Sequence, residues 1–183
     1  MMRLVLNDDH LAGALAEAIE GCRHRLFIAT ADVKDLRLPL AQLPGQARSR
    51  RDDAISIVQA LHWLSRRGVE VCLLHSGVPS SAFLAELKDS IPPTLCMRRC
   101  PRMHAKAVIA DGRRMYLGSA NLTGAGMGAK SARRRNFEAG IWTDDTALID
   151  PVLDMLQEVF DGSHCADCGR RDVCPVPLEE PEL

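Results

Sequence analysis

One stretch of the chain gathers side chains that can act on a phosphate: His104-x-Lys106-x4-Asp111-x6-Gly118-Ser119-x-Asn121. On a strand, residues two apart face the same side, so His104 and Lys106 project together. An imidazole beside a fixed ammonium suits attack on a phosphodiester. The ring nitrogen takes the phosphorus covalently, and the ammonium holds the charged phosphoryl oxygens. Ser119 and Asn121 are again two apart, and their hydroxyl and amide can donate to the same oxygens. Gly118 is expected to let the backbone approach closely.

A second cluster, His164-Cys165-x2-Cys168-x5-Cys174-Pro175, lies near the C-terminus. Three cysteines in ten residues, one pair spaced as CxxC, point to ligation before packing. A second close pair, usual for structural zinc, is missing, so a remote fourth ligand is expected. Cys100, Cys96, Cys22 and Cys72 are the candidates. Cys100 ranks first because it also precedes a proline and stands four residues before His104. Adjacent His164 and Cys165 can share one ion only with strain. The spacing followed by proline is similar to the iron–sulfur staple of some DNA-processing nucleases. A [4Fe-4S] cluster, a zinc ion and free thiols all stay open here. A structural centre closed to substrate and away from His104 is expected.

The elements that must position these residues read as an α/β layer fold, a mixed β-sheet flanked by helices on both faces. Asp8-Asp9 can cap a helix with Leu11, Leu15, Ala18, Ile19 and Cys22 on one stripe. A buried strand starts at Arg25, and residues 35–51 form a loop ending in Arg48, Arg50 and Arg51. Asp52-Asp53 is expected to cap a helix to Leu64, followed by a strand over 69–74 and a short helix over 80–88. Then a strand over 105–110 turns at Asp111-Gly112 into a second over 114–117. The glycine- and base-rich segment 124–135 reads as a mobile loop, 136–143 as a strand and 146–160 as a helix. Residues 1–162 form the catalytic domain, and 163–183 a cysteine-rich tail with an acidic, proline-rich end.

With 183 residues, 46% apolar and 26% charged, the chain is neither largely disordered nor collagen-like. Its net charge of −1 hides a split. Arg98 to Arg135 carries ten bases against Asp111 alone, a net +9, whereas Asp144 to Leu183 carries −9. Clustered bases favour a polyanionic ligand. Cysteines without a secretion signal point to a reducing, cytoplasmic setting, and no membrane span is read.

The His104–Asn121 stretch resembles the HKD motif of the phospholipase D superfamily at every signature position. The resemblance implies His104 as nucleophile, Lys106 and Asn121 as phosphate ligands and Ser119 as their assistant. It also implies a structural Asp111, and Glu138 as the carboxylate that orients the histidine. No catalytic divalent metal is implied. Long lipases carry two such motifs, whereas this chain has one, and a second group must protonate the leaving oxygen. A homodimer with one composite site answers that need. The basic stretch favours nucleic acid, DNA or RNA, in an endonuclease-like reaction, with Arg102, Lys130, Arg133 and Arg134 as substrate ligands. A phospholipase D or phosphatidyltransferase acting on phospholipid is the alternative. A non-catalytic nucleic-acid-binding subunit is the third reading. A helicase or defence-system partner stays unassigned.

Overall fold

The computed structural model describes residues 1–39, 54–174 and 176–180. Its elements follow in the order β1 (Met2–Leu6), α1 (Glu17–Gly21), β2 (Arg25–Thr30), β3 (Arg37–Leu38), β4 (Ile55–Ser56), α2 (Ile57–Arg66), β5 (Glu70–His75), α3 (Ser81–Asp89), β6 (Leu95–Arg99), β7 (Lys106–Ala110), β8 (Arg114–Gly118), β9 (Ala139–Thr143) and α4 (Thr146–Asp161). Seven strands form one sheet in the order β1-β9-β8-β7-β2-β5-β6. β2, β5 and β6 run parallel, while β7, β8, β9 and β1 continue antiparallel.

Alternation along each strand divides the apolar residues between two cores. Leu26 and Ile28 of β2 join Val71, Leu73, Val108 and Tyr116 under the first three helices. Phe27 and Ala29 join Leu74, Ile109 and Met115 under α4, which contributes Ile149, Leu156 and Phe160. Strands buried on both faces read as unbroken apolar runs, as Arg25–Thr30 does. The expected mixed sheet with helices on both faces is thus present.

Several local starts differ from expectation. Asp8-Asp9 does not cap the first helix: a π-helical segment, Leu11–Ala16, opens it without a side-chain cap, and Asp8 pairs with Arg135 at 2.9 Å. The Ser56 side chain caps α2 by accepting from the Gln59 amide, and Gln59 reaches back to the Ser56 amide, a reciprocal pair. The expected cap at Asp52-Asp53 and the arginines Arg48, Arg50 and Arg51 lie outside the described residues. Strands β1 and β6 had no clear signal in the sequence.

The Asp111 hairpin is fastened to the rest of the sheet. Asp111 and Gly112 both adopt positive φ, 56° and 64°, as a tight hairpin turn requires. The Asp111 carboxylate accepts from the amides of Arg23, His24 and Arg25 at 2.7–2.9 Å and from the Cys22 thiol at 3.3 Å. Burial alone would raise its pKa, but those backbone amides outweigh it and hold the carboxyl below the ordinary range. Burial, with the Asp111 charge, pushes the Cys22 thiol up to about 12. Asp111 is therefore structural, as the family resemblance implies.

Because its folded pKa is depressed, Asp111 contributes stability above the unfolded value of about 3.9 and loses it as pH falls through the folded value. Asp111→Ala is expected to cost about 2 kcal/mol at neutral pH, the scale of a charged acceptor to several amides. For a chain of this size that is a melting shift of roughly 4–8 °C. Asp111→Asn tolerates the left-handed backbone and should lose less at neutral pH. It should also flatten the acid limb of a melting-temperature profile. An acid limb identical to that of the parent would show that the charge carries no stability.

Candidate active site

The candidate residues meet at one end of the sheet, where β2, β5 and β6 finish and β7 begins. In α/β folds this end, beyond the carboxyl ends of parallel strands, is where ligands bind. Lys106 opens β7 opposite Gly118, the last residue of β8, so the two halves of the motif lie side by side. The Lys106 ammonium is drawn in among packed residues and donates to the His104 carbonyl at 2.8 Å. It also rests 3.3 Å from both nitrogens of the His104 ring, while His104 itself is exposed. Burial lowers the Lys106 pKa, and the nearby Glu138 carboxylate opposes that shift.

Asn121 is oriented by its amide oxygen. That oxygen accepts from the amides of Ala31 and Asp32 at 3.1 and 3.2 Å and faces the Thr30 hydroxyl at 3.3 Å. Thr30 in turn receives the Leu122 amide at 3.0 Å. Among the described residues, the Asn121 Nδ2 donors thus remain for a ligand. Ser119 Oγ donates to Glu138 and receives the Ala139 amide at 3.1 Å. The other Glu138 oxygen accepts from Asn136 Nδ2 at 3.0 Å. The hydrogen bonds of Glu138 therefore run to Ser119 and Asn136, while Lys106 is the group held against His104.

Gly118 allows the close backbone approach expected of it, here between β8 and β9. A Cβ there would stand 2.3 Å from the Tyr116 hydroxyl and 2.7 Å from Gly140, its partner across β9. A Cβ on Gly140 would likewise meet the Tyr116 ring at 2.5 Å. The glycine pair makes room for the Tyr116 ring, whose hydroxyl accepts the Ala120 amide at 3.2 Å. Burial, opposed by that bond and aided by Glu138, pushes the Tyr116 phenol up to about 12. Gly118 thus shapes the turn from behind rather than opening it to substrate.

Segment 124–135 is a loop, as expected, and it divides in two. Gly124, Gly126 and Met127 are buried, and a Cβ on Gly126 would meet the Asn121 backbone at 2.7 Å. Gly128, at φ 79°, lies against Asp8 and Asn7. This packed turn supports Asn121. Lys130, Arg133 and Arg134 are exposed beyond it.

Arg102 is exposed as well, but its guanidinium meets Cys168 Sγ at 3.6 Å. A cavity of ≈ 390 Å³ next to His104 explains that contact. Met103, Ala105, Met155 and Val159 line one side, and Cys100, Cys165, Cys168 and Cys174 line another. The cysteine tail thus folds back beside His104, against the expectation of a centre away from it. Arg170 and Arg171 line the same cavity. Their position inside the cysteine spacing is the sequence signal that would have singled them out. The Arg170 amide and the Arg102 guanidinium hold the Cys168 thiol below its ordinary pKa. Among the described residues, no three His, Cys, Asp or Glu side chains stand ready around a metal.

The family model described as a cardiolipin synthase, PLD-like domain, matches residues 15–161. The chain therefore belongs to the phospholipase D superfamily and has its phosphodiesterase fold. NucT from Helicobacter pylori is similar at 19% identity and TM-score 0.61, over 86% of this chain and 94% of that one. Nuc from Salmonella typhimurium, a phospholipase D family member, gives 18% and 0.61 over 86% and 92%. TrmBL2, an archaeal chromatin protein with a novel mode of DNA binding, gives 14% and 0.54 over 87% and 52%. At these identities the likeness is one of fold. No curated protein matches the sequence. Among the described residues, no helix is long and apolar enough to cross a membrane.

Proposed function

We propose that the chain is a nucleic-acid phosphodiesterase that works through a phosphohistidine at His104, in a site shared by two copies. The observation that carries this reading is the convergence of His104, Lys106, Ser119 and Asn121 at one sheet end, beside the exposed arginines Arg102, Arg170 and Arg171. A His104 ring nitrogen attacks phosphorus, and the bond to the leaving oxygen breaks on the opposite side. That oxygen takes a proton from the second copy's His104. The same imidazole then accepts a proton from water, whose oxygen bonds to phosphorus as the phosphorus–nitrogen bond breaks and the first His104 leaves. Lys106 and the Asn121 amide donate to the non-bridging oxygens, where negative charge gathers. Ser119, tied to Glu138, stands beside them.

A second copy also suits the surface. Met2, Leu4 and Leu6 of β1 turn apolar side chains to solvent, Leu4 being 64% exposed. Leu6 lies opposite Ala139, and Phe137, 94% exposed, is the neighbour of Glu138. This apolar strip therefore runs toward the candidate site. Covering it with a second copy would bring two His104 residues to one substrate. The similarity to a DNA-binding chromatin protein supports a nucleic-acid ligand.

The phospholipid reading keeps one specific observation, the apolar wall of Met103, Met155 and Val159 in the cavity beside His104. Labelled DNA, RNA and phosphatidylcholine, each incubated with the protein in EDTA, separate the two. Cleavage of DNA or RNA that disappears in His104→Ala is the expected result. Turnover of the lipid alone would transfer the site to phospholipid chemistry.

A further inference from the structure

Residues 163–180 are held in place by remarkably few of the usual forces, and none of them joins either apolar core among the described residues. The described residues among them contain no helix or strand. Apart from Pro177 and Leu178 at the cavity wall, the contacts that hold them are polar. Glu179 receives the Arg99 amide at 3.1 Å and pairs with its guanidinium, Arg171 caps the Cys165 carbonyl at 2.8 Å, and His164 meets Glu158 at 3.1 Å. Half-buried or exposed pairs of this kind are each worth little, and they do not balance the entropy of ordering such a segment. Yet the tail brings three cysteines to the cavity that Cys100 already lines. All four are free thiols.

We propose that Cys100, Cys165, Cys168 and Cys174 bind one thiolate-preferring metal centre, zinc or iron–sulfur, that locks the tail as a wall of the His104 cleft. The turn in which the Cys168 amide meets the Cys165 carbonyl at 3.4 Å sets the CxxC pair side by side. Cys100 is fixed from the other side, because its amide donates to the His75 carbonyl at the end of β5, 2.8 Å away. The four now stand around a cavity rather than a point, so ligation draws them inward and fills that space. Soft thiolates select zinc or iron–sulfur over harder ions. A zinc ion with four thiolates carries two net negative charges. Arg102, on Cys168 Sγ, and Arg171, on the Cys165 carbonyl, supply the opposite sign. Four protein ligands close the centre, so His104 stays outside it and keeps its ring for phosphorus. Binding energy at such a centre becomes stability of the segment it ties down.

The closure also bears on substrate. Once the cavity is filled, the apolar wall beside His104 has no acyl-sized space behind it. The tail then offers Arg170 to a polymer crossing the cleft.

The full chain, purified anaerobically, tests the proposal by its metal content. Roughly one zinc per chain, or roughly four irons with brown colour and absorption near 400 nm, is expected. Cys168→Ser and Cys100→Ser should each lose the metal and melt lower, whereas Cys96→Ser, outside the cavity, should keep it. If the serine variants do not fold, chelation of the parent protein followed by metal re-addition should lower and then restore the melting temperature. A small diester such as bis(p-nitrophenyl) phosphate should still turn over in folded, metal-stripped protein, while binding of a labelled oligonucleotide weakens. Metal-free protein that takes up neither metal overturns the proposal, as does full metal content in Cys100→Ser. So does a disulfide among the four thiols in native protein. Metal content and melting read this centre whether or not nucleic acid proves to be the substrate.

Discussion

Replacing His104 by alanine is expected to abolish turnover and leave the fold untouched. His104 is exposed at the start of β7 and belongs to neither apolar core. Substitutions at such positions stay within about 0.5 kcal/mol, here a melting change of roughly 1–2 °C. The rate should fall to background, because His164, which lines the same cavity, is paired with Glu158 rather than held against Lys106. In a shared site the consequence goes further: mixed dimers of His104→Ala with parent chain should also be inactive, since one ring attacks while the other donates. Burst experiments with a labelled diester should trap phosphorus on the parent chain and none on the variant. A variant that turns over at a tenth of the parent rate or better would place the nucleophile elsewhere.

Lys106 carries the second large effect. Lys106→Met keeps much of the buried stem but removes the ammonium that contacts His104 and would face the phosphoryl oxygens. The loss of one preorganised donor to developing charge costs about 100- to 1,000-fold in kcat, or about 2.7–4 kcal/mol. The pH dependence separates charge from packing. Burial lowers the Lys106 pKa, so its proton is lost below the ordinary lysine range of about 10.4 and the parent rate should decline there. Lys106→Arg stays charged and should lack that alkaline decline, even if its bulkier head lowers the plateau. A decline shared by both proteins would assign the titration to another group.

The sequence made the hairpin legible because its signals are local. Lys106–Ala110 is apolar enough to be buried on both sides, and Asp111-Gly112 is a turn by backbone chemistry alone. The pairing of Lys106 with Gly118 follows from that turn, so half of the site could be placed in advance. β1 was obscure for a physical reason. Its alternate residues Met2, Leu4 and Leu6 face solvent, so the usual contrast of polar outside and apolar inside is missing. β6 was hidden by Arg98 and Arg99, which read as part of the basic stretch. Yet Arg98 lies along Phe160 and Arg99 pairs with Glu179.

The roles of Gly118 and of the tail depended on contacts across the fold. The Tyr116 ring and the β9 backbone show why a side chain at 118 is excluded, and the contacts of Glu179 with Arg99 and of Cys168 with Arg102 bring the cysteines to His104. Spacing along a chain carries neither. The Asn121 amide is similar: the motif names it as a donor, but the amides of Ala31 and Asp32 decide which of its two ends faces the ligand.

Those two amides follow directly on the end of β2, whereas Lys106 belongs to β7, and β2 and β7 meet at the seam where the sheet changes from parallel to antiparallel. The two strands are distant in sequence, so pairing them closes a long loop. The Asn121 donor is therefore aimed only where the two halves of the sheet are joined. A chain that has made its hairpin but not this seam holds His104 and Lys106 without an oriented amide. Competence at the phosphate thus depends on that joint, so a copy in which it is open is a poor catalyst by construction.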